Sequence, residues 1–218
     1  MSRFTVINAE QRSPEWYAAR AGRATASRAA AVRAKPKSGS GEAVTRRDYR
    51  IQLAVERLTG VPQESDFVNK DMQRGIDMEP MARMEYEARS GQLVTETGFL
   101  SMTEYLAGCS LDGHVDGMKG LVSFKCPKSA THVEYAKAAR LPPEYVAQAT
   151  HEMWVTGAEW YDFVSFDDRL PEWLQYFCVR IYRNEFDLKQ YEAELNIFLR
   201  EVEAEVSALK KLKERMAA

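Results

Sequence analysis

Apolar positions recur at spacings of three, four or seven along the end of the chain. Leu188, Tyr191, Leu195, Phe198, Val202, Leu209 and Met216 predict one long amphipathic helix over residues 187–216. The same period predicts a helix over 45–59, with Tyr49, Leu53 and Leu58 on one face and Gly60-Val61-Pro62 as its stop. Residues 69–90 read as a helix through Met72, Ile76, Met81, Met84 and Tyr86, ended by Ser90-Gly91; Pro80 within it predicts a kink or a restart. Helices are also expected at 129–139 and at 143–156, the latter stopped by Gly157. Residues 14–34 read as helix broken near Gly22, with Ser27 as the N-cap of the second piece, followed by a flexible loop at 35–43. Strand patterns fall at 93–97, 99–102, 106–115, 121–126, 161–166 and 177–182. No internal repeat or linker divides the chain. The order of elements predicts a single α/β (α+β) domain spanning 1–218, a mixed sheet flanked by helices, with the long helix at the C-terminus.

Composition narrows the class. The chain has 218 residues, 45% hydrophobic and 28% charged, which suits one globular domain and excludes disordered and fibrous classes. No apolar run reaches the roughly 20 residues of a membrane helix, and the first residues lack the apolar stretch of a signal peptide. Cys109, Cys126 and Cys178 are scattered and suggest neither a disulfide framework nor a metal knuckle. A cytoplasmic protein without a membrane partner is expected. The formal net charge is −2, so an anionic partner would be held by local charge. Arg28, Arg33, Lys35, Lys37, Arg46, Arg47 and Arg50 supply such a locality, or else form a solvated basic surface.

The chemistry concentrates at residues 109–127. Asp112 sits in Ser-Leu-Asp-Gly, and the strand at 121–126 carries Lys125. Alternation sends Ser123 and Lys125 to one face, Val122, Phe124 and Cys126 to the other. A lysine in a short strand needs a wet face or an anionic partner, and Asp112 is the candidate partner. Asp116-Gly117 reads as the hairpin turn. His114 shares a strand face with Asp112, whereas His132 and His151 stand too far apart in sequence for a zinc site.

Ser-Leu-Asp-Gly followed by a strand ending Lys125-Cys-Pro resembles the PD-(D/E)xK nuclease motif, and more narrowly the phage lambda exonuclease and YqaJ-like viral alkaline exonuclease family. Three further segments match in order: Trp16…Arg20…Gly22…Thr25-Ala-Ser27, Gly75-Ile-Asp-Met-Glu79, and Gln148…Met153-Trp154-Val-Thr. The resemblance implies a Mg²⁺-dependent 5′→3′ exonuclease (Mn²⁺ as a substitute) for double-stranded DNA ends. It also implies a ring-shaped homotrimer and a single-strand-annealing partner. Asp112 and Glu79 would hold two metal ions together with the Phe124 carbonyl and residue 123. Lys125 would face the scissile phosphate, Gln148 a phosphate or water. Arg20 with Ser27 or Thr25 would take the 5′-phosphate, while Trp16 would stack on a base or pack in the core. A restriction-like endonuclease and a non-catalytic DNA-end-binding scaffold are the competing readings.

Position 123 departs from the pattern. It holds Ser where the resemblance implies Glu, and a neutral hydroxyl anchors Mg²⁺ poorly. An inactivated chain is the favoured expectation. The alternatives are a naturally degenerate binder, or substitution by another acid such as Asp116 or Glu134.

Overall fold

A computed structural model describes residues 3–36, 40–63 and 69–217, so Lys37 of the basic stretch lies outside it. The chain opens with β1 (Phe4–Ile7) and α1 (Pro14–Arg20), whose first turn is capped by Ser13 Oγ accepting from Trp16 N at 3.2 Å. Then come β2 (Ala24–Thr25), a 3₁₀ turn at Ala26–Arg28, α2 (Ala29–Val32), α3 (Val44–Thr59) and α4 (Lys70–Ser90). Strands β3 (Phe99–Met102), β4 (Ala107–Cys109), β5 (Gly113–Val115) and β6 (Gly120–Lys125) follow. The chain ends with α5 (Ser129–Ala138), α6 (Pro143–Thr156), β7 (Trp160–Phe166), β8 (Tyr176–Tyr182) and α7 (Leu188–Ala217). Gly60, Gly91 and Gly157 end α3, α4 and α6 in the left-handed conformation, as their positions predict.

The strands form two four-stranded mixed sheets, ordered β1-β3-β4-β2 and β5-β6-β7-β8. The stretch 106–115, expected as one strand, is two: β4 belongs to the first sheet and β5 to the second. Ser110, Leu111 and Asp112 carry the chain across the seam. Polarity could not reveal this break, because Cys109 and Leu111 are both buried and the alternation runs on through it. Only Thr95, through a bridge to His114, pairs within the expected strand 93–97. Strand β1 was not legible at all. Its middle residues are exposed on an edge, leaving no buried alternation to read.

The second sheet is covered on both sides. One face turns Val122, Phe124 and Val164 toward Ala82 and Tyr86 of α4. The other turns Leu121, Tyr161 and Phe163 into the main core with Met153 and Trp154 of α6. Helix α4 runs unbroken through Pro80, which is exposed, where a freed carbonyl can be hydrated. Its apolar face differs from expectation: Met72, Met81 and Met84 are exposed, and Ala82 and Tyr86 make the contact. Leu58 likewise lies off the buried face of α3. Helix α7 buries Tyr191, Leu195, Phe198, Val202 and Val206, but Met216 is 81% exposed.

The basic stretch is largely spoken for. Arg33 pairs with Glu194, Arg46 with Glu42 and Glu201, and Arg50 with Glu42 and Glu205, so α7 supplies most of the counter-charge. Arg28 lies over the Tyr49 ring, 4.5 Å from its centroid. These arginines tie α2 and α3 to α7 rather than presenting a continuous positive surface.

Candidate active site

Asp112 stands one step beyond the Gly113–Val122 pair of the β5–β6 hairpin, and so opposite Ser123. Gly113 is needed beside it: a Cβ there would come within 2.2 Å of Val94 Cγ1. Asp116 and Gly117 close the hairpin, both with positive φ. Three donors converge on Asp112 Oδ2: Ser123 Oγ at 2.8 Å, Phe124 N at 3.0 Å and Lys125 Nζ at 2.9 Å. The strand lysine thus has the anionic partner that its position requires. Burial works against the Asp112 charge, but the Lys125 ammonium, with the Ser123 and Phe124 hydrogen bonds, outweighs it and holds the carboxyl below its ordinary range. Burial likewise opposes the Lys125 charge, and Asp112 overrides it, so the lysine pKa is raised.

Two clefts meet at Asp112. The larger, of about 570 Å³, is lined by Glu79 and Arg83 of α4 and by Glu10, Gln11, Glu96 and Leu111. The smaller, of about 160 Å³, is lined by Trp16, Arg20, Ser27, Ser110, Gln148 and Glu152. The second gathers residues from α1, the 3₁₀ turn and α6 that lie far apart in sequence.

Trp16 is both packed and at the cleft: it is 9% exposed and donates through Nε1 to Ser110 Oγ at 2.8 Å. The Arg20 guanidinium sits 3.9 Å from its ring centroid. Ser27 is exposed within the 3₁₀ turn and caps no helix; α2 begins at Ala29 after Arg28. Thr25 does not join the cleft lining. Its residue is 1% exposed and its backbone N–H donates to Tyr49 Oη, which places it in the core beside α3. Gln148 lies on α6 and donates through Nε2 to Glu152 Oε1 at 2.8 Å.

Glu152 is the residue that sequence reasoning missed. It is 3% exposed, on the α6 face that packs against the sheet. Its carboxyl is pushed up to about 7, first by burial and then by the Asp112 charge. Glu79 is pushed up to about 7 for the same two reasons in the same order. The proposed substitutes stand elsewhere: Asp116 pairs with Lys119 on the exposed turn, and Glu134 is exposed on α5.

Among the described residues, no three His, Cys, Asp or Glu side chains close on a single point as they stand. The donor chemistry nevertheless suits a hard divalent cation. It is all oxygen, and two acids have their pKa raised by burial and then by the charge of a third, a repulsion that a cation would relieve. Two of the three histidines serve the core. His132 bonds Ser165 and the Leu174 carbonyl, and His151 bonds Tyr191 and the Gly108 carbonyl.

A family profile, the YqaJ-like viral recombinase domain, matches residues 15–159. The chain belongs to that family. Two structures of LHK-Exo, an alkaline exonuclease from Laribacter hongkongensis, are 42% identical to this YqaJ-like chain; one is a complex with dAMP. They cover 94% of this chain and 100% of their own, with TM-scores of 0.83 and 0.82. A phage related exonuclease from Haemophilus somnus 129PT is 18% identical over 86% of this chain and 96% of its own, with a TM-score of 0.64, which bears on the fold alone. No curated protein matches. The fold is therefore the PD-(D/E)xK-type α/β fold of a phage-type exonuclease family. Among the described residues, no helix is long and apolar enough to cross a membrane.

Proposed function

We propose that this chain is a Mg²⁺-dependent 5′→3′ exonuclease that removes mononucleotides from one strand of linear double-stranded DNA, beginning at a 5′-phosphorylated end. The observation that carries the reading is that Asp112 belongs to both clefts, one bringing Glu79 and the other bringing Trp16, Arg20, Ser27 and Gln148. The complex of a 42%-identical exonuclease with dAMP, a 5′-mononucleotide, supports a mononucleotide product. Divalent ions would be held by Asp112, Glu79 and the backbone carbonyl of Phe124, with Ser123 contributing only a neutral hydroxyl; they would supply charge neutralisation at the phosphate and an activated water.

The chain's own residues do the rest. Lys125 stays protonated at physiological pH because Asp112 raises its pKa, so it acts as a fixed positive charge and hydrogen-bond donor on the scissile phosphate, not as a base. Arg20, aligned by the Trp16 ring, and the exposed Ser27 hydroxyl offer a guanidinium fork and a donor for the terminal phosphate. Gln148 orients a phosphate or water at the mouth of the smaller cleft. The domain, residues 1–218, would work in the cytoplasm of a bacterium or a phage-infected host, as a homotrimeric ring with a single-strand-annealing partner. With a net charge of −2 and Arg33, Arg46 and Arg50 paired to α7, the basic stretch has little electrostatic hold on DNA. Encirclement would keep the chain on its track instead.

Ser123 gives a second reading some support: a DNA-end-binding scaffold without turnover. Linear duplex with a 5′-phosphate and nicked circular duplex, each with Mg²⁺ or with chelator, separate the readings. The exonuclease degrades only the linear substrate and only with Mg²⁺. Cutting of the circle would mean an endonuclease, and end binding without Mg²⁺ or turnover would mean the scaffold.

A further inference from the structure

We infer that Glu152, projected from helix α6, supplies the acid that the strand lacks at position 123, so that Asp112 and Glu152 share a divalent cation at the smaller cleft. This inference rests on the nuclease reading above and replaces the expectation of an inactivated chain.

Three observations converge on it. First, Glu152 and Ser123 lie on the same side of the sheet. Leu121 pairs with Tyr161 and Ser123 with Phe163 across β6 and β7, so these four side chains share the face that α6 covers. The Tyr161 hydroxyl interacts with both Ser123 and Glu152. A carboxylate from either position would therefore enter the same space. Second, Glu152 lines the smaller cleft with Asp112 itself. Third, Glu152 is 3% exposed yet forms no ion pair with a lysine or arginine among the described residues. The groups that hold it, Gln148 and Tyr161, are neutral. The nearby ammonium, Lys125, is engaged by Asp112 at 2.9 Å. A buried carboxylate facing another acid without a cation of its own is costly, and a core that had no use for it would hold Gln or Leu instead. A divalent ion between Glu152 and Asp112 supplies the missing charge.

The strand and helix positions are then alternatives for one carboxylate. With Glu152 in place, the Ser123 hydroxyl serves a different purpose. It donates to Asp112 Oδ2 and leaves room for the incoming helix acid.

The test is Mn²⁺ binding by calorimetry to the full chain, alongside digestion of 5′-phosphorylated duplex, for the wild type, Glu152→Gln, Ser123→Glu and the double variant Ser123→Glu/Glu152→Gln. Glu152→Gln keeps the shape and the Gln148 neighbour, and a melting curve without metal checks that it folds. It should weaken Mn²⁺ binding by at least the roughly 10-fold that the loss of an outer-shell partner costs and depress digestion in step. Ser123→Glu alone should not improve on the wild type, whereas adding it to Glu152→Gln should restore metal binding. Wild-type Mn²⁺ affinity in folded Glu152→Gln, or a gain from Ser123→Glu alone, overturns the inference. A wild type that neither binds Mn²⁺ nor digests DNA overturns the nuclease reading itself.

Discussion

Helix α4 carries Glu79 on a surface otherwise open to water, with only Ala82 and Tyr86 fully buried along 21 residues. Helix α6 carries Glu152 inside an unbroken buried run from Ala149 to Val155. Both carboxyls end near the same pKa, about 7, by the same two causes. The first hangs over a cleft of about 570 Å³ and the second lines one of about 160 Å³. Similar electrostatics thus come from opposite kinds of packing. An acid on α4 can adjust to a ligand by moving its own helix face, whereas one on α6 is fixed by the core and must be met where it stands. In the proposed site the pair would divide the work of holding metal into an adaptable ligand and a rigid one.

The largest effect should come from the residue both helices address. Asp112→Asn removes the acid shared by the two clefts and leaves Lys125 without its partner. Digestion of linear duplex should fall by at least about 10²-fold, the scale seen when one charge-stabilising group is lost from an active site. Steady-state rates at saturating Mg²⁺ check this. A loss confined to KM would mean that Asp112 only helps to bind DNA.

Next in size is a pH effect within α6 that needs no assay of activity. His151, wholly buried on α6 between Tyr191 and the Gly108 carbonyl, is pushed down to about 4 by burial, the backbone carbonyl only partly offsetting this. The unfolded chain takes up that proton below its ordinary value of 6.5, the folded chain only near 4. Stability is therefore lost as pH falls between these values, by about 3 kcal/mol in full. Glu152 slopes the other way. The folded chain keeps its proton up to about 7, while the unfolded chain releases it above 4.5. Stability is lost as pH rises through that window, by up to about 3 kcal/mol. Metal-free melts should show an optimum between the two limits. Glu152→Gln should move that optimum upward, and an unchanged curve would mean that the Glu152 carboxyl is better solvated than its burial implies.

How much of this could be read from the chain follows the same division. Asp112 and Lys125 stood out because a short turn and a strand lysine are local patterns, and Glu79 only because its segment resembles the family's Gly-x-x-x-Glu helix. Glu152 did not. It sits in Thr-His-Glu-Met-Trp, where a charged residue on a helix reads as a solvent-facing position, and only the packing of α6 onto β7 turns it inward. The break between β4 and β5 escaped for a related reason, since local polarity carries no information about which sheet a strand joins. The N-terminal segment was half legible. Its division near Gly22 was foreseen, but Ser27 caps nothing, and Thr25 went to the core because β2 pairs with β4, a contact more than 80 residues away in sequence. The basic run from Arg28 to Arg50 looked like a DNA path because most of its acidic partners lie on α7, far away in sequence.

Arg20→Ala probes the small cleft, which Arg20 lines from a largely buried position. The guanidinium stacked on Trp16 is assigned to the terminal phosphate, so its loss should cost about tenfold or more in kcat/KM on 5′-phosphorylated ends, the scale of a charged hydrogen bond, and little on 5′-hydroxyl ends. Equal losses on both would make Arg20 a structural prop for Trp16. Glu79→Gln, in the other cleft, should leave the preference for phosphorylated ends intact.

The smallest expected effect tests the openness of α4. Met84 is 60% exposed, with Met72 and Met81 also exposed on the same helix. Removing an exposed side chain away from caps and cores usually changes stability by no more than about 0.5 kcal/mol, so Met84→Ala should melt with the wild type. The same truncation at Met153, fully buried on α6, should cost about 2–5 kcal/mol. If Met84→Ala instead destabilises the protein, and does so more strongly as the protein is concentrated, the methionines of α4 are covered by another copy of the chain. Glu79 would then lie beside a subunit interface, and the adaptable ligand of the pair would be held from outside as firmly as Glu152 is held from within.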